Sequence, residues 1–320
     1  MREIRASAPA KVNLTLRVGP PSPDAYHPLV TVFEALDLRE YLTVRTARTP
    51  GIRVTTDAYL PDGSFDEATT ARMRELPADS HLAHRAAKLL QRLAMSGPWG
   101  RSAAGIDIHV DKHIPMAGGM AGGSADAAAA LVACNELWEL GLSGQQLELL
   151  ARSLGADVPA CLVGGITLGT GRGDHMDPLD EGAQPRHHWA IALAHEGLET
   201  PGVFRALDEA QGPGGTWKEL TEPSSEEIGA LTGDSLGLAP LLVNDLQETA
   251  LGMRPELADT MRAAQNAGAL AVILSGSGPS IAALAQDADS AHRLAQALEG
   301  ALSVAHAFTT CGPVPGARLE

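Results

Sequence analysis

The segment IPMAGGMAGGSADAAAA, residues 114–130, changes character halfway along its length. Its first half contains Gly118, Gly119, Gly122 and Gly123, and a run of strong helix formers follows at once. A helix N-terminus presents unsatisfied N–H groups and a partial positive charge. Because a glycine-rich loop has no side chains to shield these groups, an anion can approach several amides together. The segment therefore predicts a phosphate-binding loop leading into a helix; on the glycines alone, an ordinary flexible turn is an equal alternative.

The spacing excludes two common phosphate motifs. A Walker loop needs a lysine directly before its serine or threonine, whereas Gly123 precedes Ser124 here. The glycines also lack the spacing of the dinucleotide-binding fingerprint. Ser124 can add a hydroxyl to the anion site or cap the helix. Asp126 follows in the first turn, where a carboxylate interacts favourably with the helix dipole, so we interpret it as a stabilising residue and not as a magnesium ligand.

The composition predicts a globular protein and argues against nucleic acid as the main partner. The chain has 320 residues, of which 44% are hydrophobic and 20% charged, enough for two domains. A net charge of −15 argues against nucleic acid as a partner, because phosphate backbones bind to basic surfaces. It leaves room for a phosphorylated small molecule held by a local group of amides.

The cysteines and the N-terminus predict a cytoplasmic location. Cys134, Cys161 and Cys311 are widely spaced and odd in number, which fits neither a metal site nor a disulfide framework. The first residues are charged and lack the apolar core of a signal peptide. No apolar run has the length of a membrane-spanning helix. We therefore expect no membrane partner. The oligomeric state that we expect, a monomer or a weak homodimer, does not follow from these features.

Hydrophobic periodicity predicts an α+β fold. Strands are expected at 11–18, 29–36, 42–47, 105–110, 189–195, 270–276, 280–285 and 304–308. Helices are expected at 79–94 with Asp79 or Ser80 as the cap, and at 124–140, 143–153, 243–251, 255–267 and 289–298. The segment 212–237, rich in Gly, Pro, Ser and Glu, is expected to be a surface excursion.

Three motifs in order resemble those of the GHMP kinase superfamily. The phosphate loop carries Pro115-x-x-x-Gly119-x-x-x-Gly123-Ser124-Ala125, which is similar to that superfamily's Pro-x-x-x-Gly-Leu-Gly-Ser-Ser-Ala loop. APAKVNL at 8–14 is similar to its N-terminal motif and LSGSGPS at 274–280 to its C-terminal glycine motif. The resemblance implies a ribosomal-S5-like N-terminal domain over 1–167 and a ferredoxin-like α/β sandwich over 168–320. It assigns ATP binding to Pro115, Met116, Ala117, Gly118, Gly119, Met120, Ala121, Gly122, Gly123, Ser124 and Ala125.

Three longer stretches narrow the resemblance to one branch of the superfamily. They are SAPAKVNLTLRV, PDAYHPLVTVFEALDL and LGADVPACLVGG. In that branch an ATP-dependent kinase phosphorylates the 2-hydroxyl of a cytidine-diphosphate-linked methylerythritol, in the non-mevalonate route to isoprenoid precursors. The resemblance implies ATP and Mg²⁺ as cofactors, with the ion held by phosphate oxygens and water with help from Ser124.

The resemblance also implies two catalytic residues. Asp157 in GADVP matches the proposed general base, and Lys11 matches the residue that stabilises charge around the transferred phosphoryl group near Asp157. Asn13 would orient the substrate, and strand alternation places it on the same face as Lys11. From the residues alone, Asp157 is also compatible with a turn cap and Lys11 with an exposed edge strand.

The cytidine end of the substrate is assigned in the same way. Tyr26 and His27 match the branch's Gly-Tyr-His motif, with Ala25 in place of the glycine. Phe204 resembles the residue on the other side of the base, and Thr200 a nearby polar contact. A buried hydrophobic plug is the alternative for Phe204.

Some features carry no assignment or keep other functions open. His81 stands where many relatives have asparagine at the adenine side, and the turn 169–174 is given no role. A mevalonate-pathway or homoserine kinase is one alternative, and it predicts no cytidine site. A catalytically silent nucleotide-binding protein is another, which the presence of both Lys11 and Asp157 disfavours.

Overall fold

The chain forms one mixed and one antiparallel sheet, both covered by helices, in a computed structural model that describes residues 2–98, 100, 102–179, 185–212, 215 and 217–320. The strands are β1 (Glu3–Val18), β2 (Leu29–Thr46), β3 (Gly51–Ala58), β4 (Gly105–Lys112), β5 (Ile166–Thr170), β6 (His175–Pro178), β7 (His187–Leu193), β8 (Val243–Asn244), β9 (Ala271–Leu274), β10 (Ile281–Ala285), β11 (His306–Gly312) and β12 (Arg318–Leu319). The helices are α1 (Glu67–Glu75), α2 (Leu82–Met95), α3 (Gly122–Leu137), α4 (Gly144–Arg152), α5 (Val158–Val163), α6 (Thr200–Gln211), α7 (Ser225–Leu231), α8 (Ser235–Leu238), α9 (Gln247–Met253), α10 (Glu256–Asn266) and α11 (Ala288–Glu299). The predicted α+β class is confirmed.

The first sheet is built on the long pair β1 and β2, in the order β12-β1-β2-β4-β3. Strands β5 and β6 extend it from β2, and β8 pairs with β1. The predicted strands 29–36 and 42–47 are one continuous strand. The polar residues between them hid this continuity: Arg39 is buried and donates to Ser7 and to the carbonyls of Pro315 and Gly316.

Helix α3 lies against β1, β2 and α2 and is buried along most of its length. Its alanines at 125, 127–130 and 133 are inaccessible to solvent. Small side chains let the helix axis approach its neighbours on several sides, which an amphipathic helix with a polar face cannot do. The alanine run that follows the phosphate loop is therefore the buried centre of the first layer.

The second sheet has the order β11-β7-β10-β9, and α10 and α11 cover one face. Strand β5 crosses the predicted domain boundary at 167–168, and the C-terminal strand β12 returns to β1 of the first sheet. The division into 1–167 and 168–320 remains a proposal, and the pairing favours grouping β5, β6 and β12 with the first sheet. Within the described ranges, no helix is both long and apolar enough to cross a membrane.

Two local predictions are wrong. The helix expected from Asp79 begins at Leu82 after a 3₁₀ turn, and its cap is His81, whose Nδ1 accepts from the Ala83 N–H. The helix expected at 243–251 begins only at Gln247, as α9, after the short strand β8. In the expected surface excursion, most of the described residues from 217 to 237 are exposed or half-buried, and they include α7 and the start of α8. A capping box formed by Ser224 and Glu227 starts α7, and this Ser-x-x-Glu spacing is readable in the sequence.

A buried ion pair joins the two sheets. Glu34 of β2 faces His187 of β7, with Oε2 2.7 Å from Nδ1, and it also accepts from Trp189 Nε1 at 3.2 Å. The other ring nitrogen of His187 lies 2.8 Å from the carbonyl of Gly233. Both nitrogens therefore face acceptors, which only the doubly protonated ring can satisfy. Burial alone would lower the pKa of His187, but the hydrogen bond and charge of Glu34 outweigh it and the pKa is raised.

We expect His187→Gln to lower the unfolding temperature more at pH 6 than at pH 9. Because the folded-state pKa is raised, this stabilisation is complete below the ordinary histidine pKa of about 6.5 and is lost as pH rises through the folded value. Breaking a buried pair costs about 3–5 kcal/mol, or a fall of roughly 5 °C or more at pH 6. The measurement is calorimetric unfolding from pH 6 to 9. His188→Gln, at the neighbouring position on β7, is the control, and a His187 effect independent of pH would contradict the assignment.

Candidate active site

A cleft of about 1280 Å³ contains most of the predicted site residues. Its walls come from β1, the phosphate loop, the starts of α3 and α5, the loop before β2, helix α6 and the C-terminal glycine motif. The predicted residues that line it are Lys11, Asn13, Tyr26, His27, Pro115, Met116, Ala117, Gly118, Gly119, Ala121, Gly122, Gly123, Ser124, Asp157, Thr200 and Phe204. Met120 and Ala125 are buried behind the loop.

The phosphate loop has a backbone suited to an anion. The sign of φ alternates along it, with positive values at Ala117 (53°), Gly119 (73°) and Ala121 (64°). Alternation between right- and left-handed conformations turns successive N–H groups toward one side and forms a nest. Helix α3 then begins at Gly122, two residues before the predicted start, and Ala121 offers no side chain to its free N–H groups. Bare amides thus face the cleft.

The phosphate loop contacts the C-terminal glycine motif directly. A Cβ on Gly119 would clash with the carbonyl oxygen of Ser275, and Ser275 Oγ donates to the Gly119 carbonyl at 3.1 Å. A Cβ on Gly276 would lie 3.1 Å from Lys11 Nζ. The three motifs, separated by more than 100 residues along the chain at each step, therefore meet at one place.

Lys11 lies at the floor of the cleft, where it is only 4% exposed. Its Nζ donates to Asn13 Oδ1 at 2.7 Å and lies 3.6 Å from Asp157 Oδ2. Asn13 in turn donates to Thr31 Oγ1 at 2.8 Å, which fixes the orientation of the amide. Asp157 precedes α5 but its side chain makes no capping hydrogen bond, and 38% of it is exposed to the cleft. The turn-cap alternative for Asp157 is therefore not what this geometry shows.

A second buried ammonium, which the sequence analysis missed, lies behind the phosphate loop. Lys112 Nζ is 2.8 Å from Glu40 Oε1 and 2.8 Å from Asp126 Oδ2. Burial raises the pKa of Glu40 to about 8, against the opposing effect of Lys112. The two carboxylates raise the pKa of Lys112 despite its burial. Asp126 is thus held by an ion pair. Because α3 begins at Gly122, Asp126 lies beyond the first turn, so the expected stabilisation by the helix dipole is wrong. No local pattern in the sequence signalled Lys112 or Glu40.

The loop before β2 presents Tyr26 to the cleft. Ala25 adopts φ of 65°, the left-handed conformation that the family's glycine would adopt without strain. The Tyr26 ring is 58% exposed, and the guanidinium of Arg172 stacks over it at 4.1 Å from the centroid. Arg172 also pairs with Asp24. The turn 169–174 therefore supports the tyrosine.

His27 is buried behind this loop, and Phe204 lies beside it. The ring centroids of His27 and Phe204 are 5.2 Å apart, and those of His27 and Trp217 5.4 Å. Phe204 is half-buried and still lines the cleft, so it is not a fully buried plug. Thr200 Oγ1 lies 2.8 Å from Ser277 Oγ, which joins α6 to the C-terminal glycine motif.

His81 uses both ring nitrogens within the protein. Nδ1 accepts from the Ala83 N–H at 3.2 Å, and Nε2 lies 3.3 Å from Thr56 Oγ1. Burial lowers the pKa of this histidine. Although His81 lines the cleft, its polar atoms are engaged in capping α2 and contacting β3, and an adenine contact would compete with them.

Comparison with known proteins identifies the family of both layers. The family described as GHMP kinases N terminal domain matches residues 81–165, and the family GHMP kinases C terminal matches 219–304. A 4-diphosphocytidyl-2-C-methyl-D-erythritol kinase of Nocardia farcinica is 44% identical, over 98% of this chain and 94% of its own. The kinase of the same name from Pseudarthrobacter chlorophenolicus is 41% identical, over 99% and 95%.

Solved structures give the same result. A crystal structure of 4-(cytidine 5'-diphospho)-2C-methyl-D-erythritol kinase superposes with a TM-score of 0.73 at 30% identity, over 97% of this chain and 99% of its own. A homoserine kinase from Cytophaga hutchinsonii superposes with a TM-score of 0.69 at 20% identity, over 100% and 98%, which shows a shared fold.

We expect Gly119→Ala to weaken ATP binding at least about tenfold, because each displaced amide that bonds a charged phosphate loses roughly 1.5–3 kcal/mol. The clash with Ser275 forces the loop to move. Gly141→Ala is a matched control, since Gly141 has a similar φ of 67° but nothing within 4 Å of a new Cβ. The Gly141→Ala variant therefore introduces the same backbone strain without a clash of the new Cβ. Calorimetric titration measures the ATP affinity of both variants, and equal affinities would contradict the assignment of the loop to phosphate binding.

Proposed function

The chain belongs to the 4-diphosphocytidyl-2-C-methyl-D-erythritol kinase family of GHMP kinases, and we propose that it transfers the γ-phosphate of ATP to the 2-hydroxyl of 4-diphosphocytidyl-2-C-methyl-D-erythritol. It is a small-molecule kinase, which implies the use of ATP. The observation that carries the proposed reaction is the Lys11–Asp157 pair, 3.6 Å apart at the floor of the cleft. The same cleft is lined by the phosphate loop and by Tyr26 and Phe204.

The phosphate loop supports an ATP site. We propose that the amides from Ala117 to Ser124 hold the β- and γ-phosphates at the start of α3. The loop itself carries no carboxylate, and Asp126 behind it is engaged with Lys112. The donor phosphate would then face the end of the cleft that contains Lys11.

We assign the chemistry of transfer to Asp157 and Lys11. The hydroxyl oxygen of the acceptor forms a bond to the γ-phosphorus while the bond from that phosphorus to the β-bridging oxygen breaks, and ADP leaves. Asp157 accepts the hydroxyl proton, and the loose transition state lowers the basicity that this carboxylate needs. Lys11 neutralises charge on the transferred group from a position that Asn13 fixes.

The loop at 25–27 supports a cytidine site. We propose that the base stacks on the exposed ring of Tyr26 and against Phe204. Within the described residues, the backbone N–H and C=O of His27 have no hydrogen-bond partner. One donor beside one acceptor matches the ring nitrogen and amino group on the edge of cytosine. Thr200 would contact the remainder of the ligand from the start of α6.

Magnesium is expected to enter with ATP. Of the described residues, no three His, Cys, Asp or Glu side chains are grouped to hold a metal ion. The residues present nevertheless fit an ion held mainly by phosphate oxygens and water, because the half-buried Ser124 lines the cleft at the loop. When bound, the ion would neutralise phosphate charge.

The remaining expectations about the working protein rest on the sequence. The net charge of −15 disfavours nucleic acid, and we propose a cytoplasmic monomer or weak homodimer with small-molecule partners alone.

The proposed substrate is tested by ADP release from the purified chain with ATP, Mg²⁺ and one acceptor at a time. We expect turnover with 4-diphosphocytidyl-2-C-methyl-D-erythritol, because only that acceptor fills the site at Tyr26 and Phe204. Mevalonate and homoserine serve as the comparison acceptors. Turnover with either of them, and none with the cytidyl compound, would reject the proposed substrate while leaving the kinase assignment intact.

We expect Asp157→Ala to lower kcat by about 10²–10⁴-fold while the affinity for ATP changes little, since a general base acts on the acceptor hydroxyl. Steady-state kinetics give kcat, and calorimetry gives the ATP dissociation constant. Asp177→Ala, an exposed carboxylate on β6, is the control for loss of one negative charge. An equal loss of kcat and ATP affinity would indicate a structural role for Asp157.

A further inference from the structure

The ring of His27 faces a hydrogen-bond acceptor at each nitrogen. Nδ1 lies 2.8 Å from the carbonyl oxygen of Gly19. Because a carbonyl oxygen can only accept, Nδ1 carries a proton. A neutral ring would then have a lone pair on Nε2.

The second nitrogen faces a carboxylate. Nε2 of His27 lies 3.2 Å from Asp208 Oδ1. Both atoms are buried, their mutual angle is poor for a hydrogen bond, and neither has another partner within the described ranges. A lone pair pointing at a carboxylate would be repelled, whereas a protonated Nε2 is attracted to it. The contact between Asp208 and His27 is therefore attractive only when Nε2 carries a proton.

Two aromatic side chains contact the ring in tilted arrangements. Phe204 lies at an interplanar angle of 31° and Trp217 at 45°. The acidic side chain that contacts His27 is Asp208 of α6. The other two contacts are uncharged: the carbonyl of Gly19 and the indole ring of Trp217.

We propose that Asp208 is a positioning residue of the substrate site: by pairing with His27 it fixes the loop that presents Tyr26 and the backbone of His27 to the base. This inference rests on the proposed cytidine site. Phe204 and Asp208 are four residues apart on α6 and so share one face of the helix. One helix face thus supplies both a stacking ring for the base and the anchor for the opposite loop.

The first test is the binding of CDP, which does not depend on turnover. We expect Asp208→Asn to weaken CDP binding by about tenfold or more, the loss typical of a charge-assisted contact. The ATP dissociation constant should stay unchanged. Asp208→Glu, which keeps the charge, should restore part of the affinity. Glu209→Gln, the exposed next residue on α6, makes the same change of charge without touching His27.

The second test reads His27 itself by ¹⁵N NMR of histidine-labelled protein at neutral pH, with the signal assigned by its absence in His27→Gln. We expect both nitrogens to be protonated in the unmodified chain. In Asp208→Asn the doubly protonated fraction should fall while the proton on Nδ1 remains. A merely structural role for Asp208 would not move this signature selectively.

Several results would overturn the proposal. A neutral His27 in the unmodified chain excludes the ion pair. A CDP affinity of Asp208→Asn equal to that of Glu209→Gln excludes positioning. Failure of the proposed substrate looks different, because the unmodified chain would then bind no CDP although the NMR signature of the pair is present; that result removes the positioning role together with the cytidine site and leaves the ion pair as a contact within the fold.

Discussion

The burial of one ammonium group, on Lys11, sets the geometry of the cleft. Taking a lysine out of water is costly unless polar partners surround it. Asn13 and Asp157 provide those partners from β1 and from the start of α5, and the bare backbone of Gly276 closes over the same nitrogen. The requirement to neutralise this charge therefore draws three distant chain segments together. We propose that the substrate hydroxyl and the transferred phosphate meet at the place where this requirement is satisfied.

Buried cations are surrounded by acceptors at two further places in this chain, whose net charge is −15. Lys112 lies between Glu40 and Asp126 behind the phosphate loop, and His187 lies between Glu34 and a carbonyl where the two sheets meet. Each buried cation has acceptors on more than one side. Breaking such a pair leaves an uncompensated charge, so these contacts specify one arrangement more strongly than they add stability.

Much of this architecture was predictable from sequence, because its signals are local. The phosphate loop, the helix after it and the common face of Lys11 and Asn13 follow from glycine chemistry and strand period. The ion pairs of Lys112 and His187 were not predicted, because Lys112 and Glu40 lie 72 residues apart, and His187 and Glu34 lie 153 residues apart. The continuity of β2 was not predicted for the same reason, because the polar residue Arg39 at its centre is buried against partners that are distant in the sequence.

Among the described residues, three of the four non-glycine residues with positive φ lie in the two loops that we propose to face ligands, and the fourth, Glu139, follows helix α3. Ala117 and Ala121 in the phosphate loop and Ala25 in the substrate loop all have positive φ, at about 1–2 kcal/mol each for a residue with a Cβ. Such conformations persist only where neighbouring contacts determine them. At the phosphate loop those contacts come from Ser275 in the C-terminal glycine motif. At the substrate loop they come from Arg172, which stacks on Tyr26, and from Asp208, which contacts His27. The strain therefore reports that both loops are held in shape before a ligand arrives, which lowers the entropic cost of binding.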